Sequence, residues 1–84
     1  MNRKQELLVI LNEECGEVIQ AASKVLRFGL SDSNRDQLEY EMGDLLAMMK
    51  LVDEEWGLSL DRIFEHAENK LKKVEQYMQN PRND

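Results

Sequence analysis

Apolar residues recur along this chain at helical spacing rather than in alternation, and two glycines divide the pattern into three stretches. Gly29 and Gly57 each fall just past such a run, where a glycine takes the left-handed conformation that closes a helix. Each is followed by a leucine, Leu30 or Leu58, placed for the hydrophobic contact that often accompanies such an ending. Ser31 to Asn34 and Ser59 supply N-cap side chains, while Asp36 and Asp61 put carboxylates near the positive ends of the helices that follow. The pattern predicts helices over 3–28, 34–56 and 60–79. No repeat, linker or strand-like alternation is visible, so the expectation is an all-α fold with a single domain over 1–79 and a frayed tail over 80–84.

Advancing ~100° per residue places Leu8, Leu11, Cys15, Val18, Ala22, Val25 and Leu26 on one broad face of the first helix. Glu14 lies within that face, between Leu7, Ala21 and Val25, and Glu17 at its edge, whereas Glu13 falls with Gln20 and Lys24 on the polar side. The second helix carries Leu38, Met42, Leu45, Met48, Met49, Val52 and Trp56 on its apolar face, with Glu41 between Met48 and Val52 and Asp44 between Met48 and Leu51. On the third, Ile63, Ala67, Leu71, Val74 and Met78 form the stripe. Three amphipathic helices of this length cannot enclose all their apolar residues within 84 positions. A four-helix-bundle-like core completed by dimerisation is therefore expected, in a homodimer or homotetramer.

Glu14, Glu17, Glu41 and Asp44 thus all turn toward the interior. A carboxylate moved from water into apolar surroundings either becomes neutral or needs a partner, and four together call for a cation. Residues at i and i+3 project from neighbouring turns of one helix face, so the pairs Glu14 with Glu17 and Glu41 with Asp44 can grip a shared ion between antiparallel helices. An all-oxygen cage without thiolate selects Mg²⁺ or Mn²⁺ over zinc, and Mg²⁺ commonly takes substrate phosphates as further ligands. Solvated charges and ion pairs are the ordinary alternative for any one such pair. Two inward pairs shift the balance to metal.

Composition narrows the chemistry further. Seventeen acidic against eleven basic residues give a net charge of −6, which disfavours nucleic acid as the main ligand. Cys15 is the only cysteine, so neither an internal disulfide nor a thiolate metal site can form, and it reads as a packing residue. His66 has no second histidine to make a zinc site. Met1 to Leu11 mixes charges with an apolar stretch too short for a secretory or membrane segment, so a cytoplasmic protein with no membrane partner is expected. Lys70 and Lys73 are placed to reach phosphates or to form an exposed flank, Lys72 the flank alone. Lys24 and Arg27 suit the negative end of the first helix, with phosphate contact as a second role. Tyr40 and Trp56 offer rings to a base, although helix-face aromatics more often pack, as do Met42, Met48 and Met49.

The segments Glu14-Cys15-Gly16-Glu17 and Glu41-Met42-Gly43-Asp44, with Trp56 to Leu60 and Asn69 to Lys73, resemble the MazG-like all-α NTP pyrophosphatase superfamily over nearly the whole chain. That group includes all-α dUTPases, dCTP pyrophosphatases and phosphoribosyl-ATP pyrophosphatases. The resemblance implies magnesium held by Glu14, Glu17, Glu41 and Asp44; acids in such a cage can also orient a water, which makes Glu14 and Glu17 the candidate catalytic bases. It also implies a substrate-binding segment of Asn69, Lys70 and Lys73, where some relatives carry arginines. The implied reaction hydrolyses an NTP or dNTP between the α- and β-phosphates to a monophosphate and pyrophosphate, at sites built between subunits. Three rivals stand beside it: a non-enzymatic helical dimerisation module, a carboxylate-bridged iron or manganese protein, and a phosphoribosyl-ATP enzyme. The second lacks the Glu-x-x-His pairs usual in such bundles.

Overall fold

Side-chain caps start all three helices and glycines end two of them. The computed structural model describes residues 1–82. It contains α1 (Arg3–Phe28), α2 (Asp32–Trp56) and α3 (Leu60–Tyr77), with no strand among the described residues. None of the three is long and apolar enough to cross a membrane.

Asn2 forms a capping box that the sequence reading missed: its side chain accepts from the Gln5 amide at 2.9 Å, and the Gln5 side chain accepts from the Asn2 amide at 3.0 Å. α2 starts two residues before the predicted position because Ser31, first of the candidate caps, takes the role and its Oγ accepts from the Asn34 amide at 3.1 Å. The Asn34 side chain then donates back to the Gly29 carbonyl at 3.0 Å, which ties down the connection. Gly57 adopts the predicted left-handed geometry, φ 64° and ψ 38°, and the Asp53 carbonyl accepts from both the Gly57 and Leu58 amides. Gly29 differs. Its φ of 87° is positive but its ψ of 172° is extended, a region open essentially only to glycine. Leu30 and Leu58 are each 52% exposed, so neither buries itself at its helix end. α3 stops at Tyr77 rather than 79, with Met78 extended. Pro81 also disfavours helical geometry at Asn80, and the Arg82 amide donates to Glu75 Oε2 at 2.7 Å. Residues 83 and 84 of the expected tail lie outside the described residues.

α1 and α2 pack as an antiparallel hairpin. Its open end is clasped on one flank by Arg3 Nε to Glu55 Oε1 at 2.9 Å, and on the other by Trp56 Nε1 donating to the Lys4 carbonyl at 2.9 Å. The Lys4 ammonium also sits 5.7 Å from the Trp56 ring centroid. Leu7, Ala21 and Val52 are the buried apolar residues of the seam, flanked by half-buried Leu11, Val18, Val25, Leu38, Leu45 and Met48. The seam is therefore narrower than the predicted faces, and centred to one side of them. Cys15, expected to pack, is exposed, as are Leu26, Met42, Met49 and Trp56. One helix can cover only a stripe of its neighbour, and the apolar faces here are wider than that stripe.

α3 buries none of its residues. Its first half meets α2 along a cleft of about 250 Å³ lined by Leu46, Met49, Lys50, Leu60, Ile63 and Phe64, while Leu71 further along is 68% exposed. The Cα radius of gyration is 15.5 Å, against roughly 12 Å for a compact chain of this length. Replacing Trp56 by Phe removes the hydrogen bond that clasps the hairpin and should lower unfolding stability by about 1 kcal/mol at fixed protein concentration. Urea unfolding followed by circular dichroism measures it; an unchanged midpoint would show that the clasp contributes nothing.

Candidate metal centre

Glu14 comes from the middle of α1, and Glu41 and Asp44 from adjacent turns of α2, because the antiparallel hairpin sets these stretches side by side. One carboxylate oxygen from each of the three lies within 4.8 Å of the others. Glu41 is the most enclosed, at 6% exposure, and Glu14 and Asp44 are half-buried. Glu41 Oε2 accepts from the Gln37 side chain at 2.9 Å, an i, i+4 pairing that holds the carboxylate in place. Gln37 was not singled out by the sequence reading, although its position one turn before an inward acid was a usable signal.

Glu14 Oε2 is buried and has no hydrogen-bond partner. Loss of hydration is the main cause that lifts the Glu14 carboxyl above its ordinary range, and the charges of Asp44, Glu41, Glu17 and Glu13 push in the same direction. An orphaned buried oxygen facing two further carboxylates is a site that a proton or a cation satisfies. The donor set, all carboxylate oxygen, fits a hard divalent ion of the magnesium or manganese class.

Glu17 is exposed and stands outside this group of three, close enough that its charge acts on Glu14. The remaining residues expected at the site lie elsewhere. Lys24 and Arg27 are exposed toward the end of α1, with the Arg27 guanidinium 5.2 Å from the Phe28 ring centroid. Lys24 is ten positions beyond Glu14, ~15 Å along the helix axis. Asn69, Lys70 and Lys73 are exposed on α3, and the Lys70 ammonium rests 4.7 Å from the Tyr77 ring centroid. Among the described residues the only ion pair is Arg3 with Glu55, so no cation of the chain pairs with Glu14, Glu41 or Asp44.

The family model of the MazG nucleotide pyrophosphohydrolase domain matches residues 2–78. No curated protein and no solved structure matches the chain.

Proposed function

The chain belongs to the MazG nucleotide pyrophosphohydrolase family, and from that premise we propose that it is a magnesium-dependent hydrolase of nucleoside or deoxynucleoside triphosphates, cleaving between the α- and β-phosphates. The observation that carries the metal requirement is the unpartnered Glu14 oxygen set against Glu41 and Asp44. These three residues, with Glu17 from the next turn of α1, would hold the ion, Mn²⁺ serving as a substitute. When bound, the ion would offset triphosphate charge and polarise the phosphoryl group.

The chain's own part is positional and basic. A carboxylate oxygen of Glu14 or Glu17 accepts a proton from water as the water oxygen forms its bond to the α-phosphorus. The bond from the α-phosphorus to the bridging oxygen breaks, and its electron pair leaves with pyrophosphate. Of the two, the exposed Glu17 has the freer access to water. Gln37 acts through Glu41, fixing its orientation.

The cations that would meet the phosphates are absent from the hairpin's acidic centre, and α3 carries Asn69, Lys70 and Lys73 on its exposed second half, beyond the cleft it forms with α2. A second copy of the chain would account for both facts. The chain exposes 7035 Å², where a compact monomer of 9.9 kDa exposes roughly 5,200 Å². The difference of about 1,800 Å² exceeds the ~800 Å² that one partner contributes to a standard interface. The homodimer or homotetramer so formed would bury the wide apolar faces of α2 and α3 and bring the lysines of one copy toward the carboxylates of another.

The test is pyrophosphate release from a panel of NTPs and dNTPs with Mg²⁺, with Mn²⁺ and with chelator. Metal-dependent release of pyrophosphate and a monophosphate is expected. No release from any nucleotide by folded protein would favour the helical interaction module instead.

A further inference from the structure

We propose that Tyr40 stacks on the base of the nucleotide and so sets how strongly the centre prefers a nucleoside triphosphate to a bare sugar triphosphate. This rests on the pyrophosphohydrolase reaction proposed above. The chain has one tryptophan, two tyrosines and two phenylalanines, and four of these rings are engaged or distant. Phe28 ends α1, fourteen positions and ~21 Å beyond Glu14, against the Arg27 guanidinium. Trp56 is twelve positions and ~18 Å beyond Asp44, bonded to the Lys4 carbonyl. Phe64 lines the apolar cleft between α2 and α3, and Tyr77 carries the Lys70 ammonium.

Tyr40 is different on each count. It adjoins Glu41, is 64% exposed, and makes no hydrogen bond or cation contact among the described residues. It forms an i, i+4 pair with Asp44, which puts their Cβ atoms ~5–6 Å apart on one surface of α2. The helical wheel sets both on the flank of the hairpin marked by the Arg3–Glu55 bridge, which is also the flank of Glu17. A nucleotide whose phosphates met these carboxylates would carry its base one sugar away, and Tyr40, one helical turn from Asp44, is the exposed ring on α2 nearest in sequence to the group. A stacked ring accepts every base, since each has a π-face, so discrimination among the four bases by this residue is weak.

The experiment compares kcat/KM for ATP, GTP, CTP, UTP and ribose 5-triphosphate in the full chain with Mg²⁺, for wild type, Tyr40→Phe, Tyr40→Leu and Tyr40→Ala. Loss of one stacking contact corresponds to about 5- to 150-fold in kcat/KM. Tyr40→Ala and Tyr40→Leu are expected to lose that factor on nucleoside triphosphates, mainly through KM, while Tyr40→Phe keeps it. The preference for nucleoside over ribose 5-triphosphate should shrink by the same factor. Full activity in Tyr40→Leu would mean the ring only packs, and an equal loss on both substrate classes would mean it only supports the carboxylates; either overturns the proposal. If Tyr40→Ala does not fold, the Phe and Leu variants decide. A wild-type chain inactive on every nucleoside triphosphate removes the reaction itself, whereas an active wild type with unchanged preference in the variants removes only the role of Tyr40.

Discussion

Glu41→Gln is expected to lower metal-dependent pyrophosphate release by at least about 100-fold while leaving the metal-free chain as stable as wild type or more so. Changes to residues that merely support a ligand already cost ~10–100-fold in affinity or activity, so removal of a ligand charge should cost no less. Stability moves the other way, because Glu41 is one of the charges that push the Glu14 carboxyl upward. A carboxyl whose folded-state pKa is raised binds more protons folded than unfolded, so this contribution to the metal-free chain is fully present below the ordinary carboxylate range and is lost as pH rises from that range through the raised folded-state value. Glu41→Gln should flatten that loss. A divalent ion should do the same by a different route, adding about 2.7 kcal/mol when present at a hundred times its dissociation constant. Thermal unfolding across pH, with and without Mg²⁺, reads all three effects. A variant that unfolds earlier than wild type in the absence of metal would mean that the enclosed Glu41 carboxylate stabilises the hairpin through its bond with Gln37, and that the centre is structural.

The second large effect concerns the apolar cleft. Leu46→Glu combined with Phe64→Glu puts two carboxylates on the surface proposed to meet a second copy of the chain, where both residues are now exposed. An uncompensated buried charge costs ~3–5 kcal/mol, so the double variant should weaken self-association by a factor of at least about 100. Sedimentation velocity at micromolar concentration is the measurement, with pyrophosphate release assayed on the same samples. The outcome expected is a monomer that keeps its helical circular dichroism and has lost activity, since Lys70 and Lys73 then have no facing centre. An unchanged sedimentation coefficient would place the interface on another surface, and a monomeric variant with full activity would show that the hairpin's own residues suffice.

The substitutions also indicate which parts of the protein could be read before its tertiary structure was known. Helix number and type followed from local chemistry: a glycine past each of the first two apolar runs, a serine that caps the next, and apolar spacing near 3.6 residues. These signals lie within one or two turns of the residues they govern, and Gly57, Ser31 and Ser59 occupy the positions assigned to them. Glu14, Glu41 and Asp44 were likewise legible, because acids among apolar neighbours on a helix face must turn inward together with that face. Asn2 and Gln37 were legible too but were overlooked: their bonds, to Gln5 and to Glu41, are as local as any cap, since an asparagine three residues before a glutamine is a capping-box pattern and Gln37 stands one turn before an inward acid.

What the tertiary structure alone decided is which part of each wide apolar face is spent within the chain. Periodicity gives the direction of a face but not the width that a neighbour will cover. The α1/α2 seam took Leu7, Ala21 and Val52 and left Leu26, Met42 and Met49 outside, and it separated Glu17 from the three carboxylates although all four share an i, i+3 pattern. It also left α3 without a buried residue, which no local signal in that strongly amphipathic segment foretold. Burial depends on what lies opposite, and what lies opposite a helix is set by connections and crossing geometry rather than by the helix's own residues.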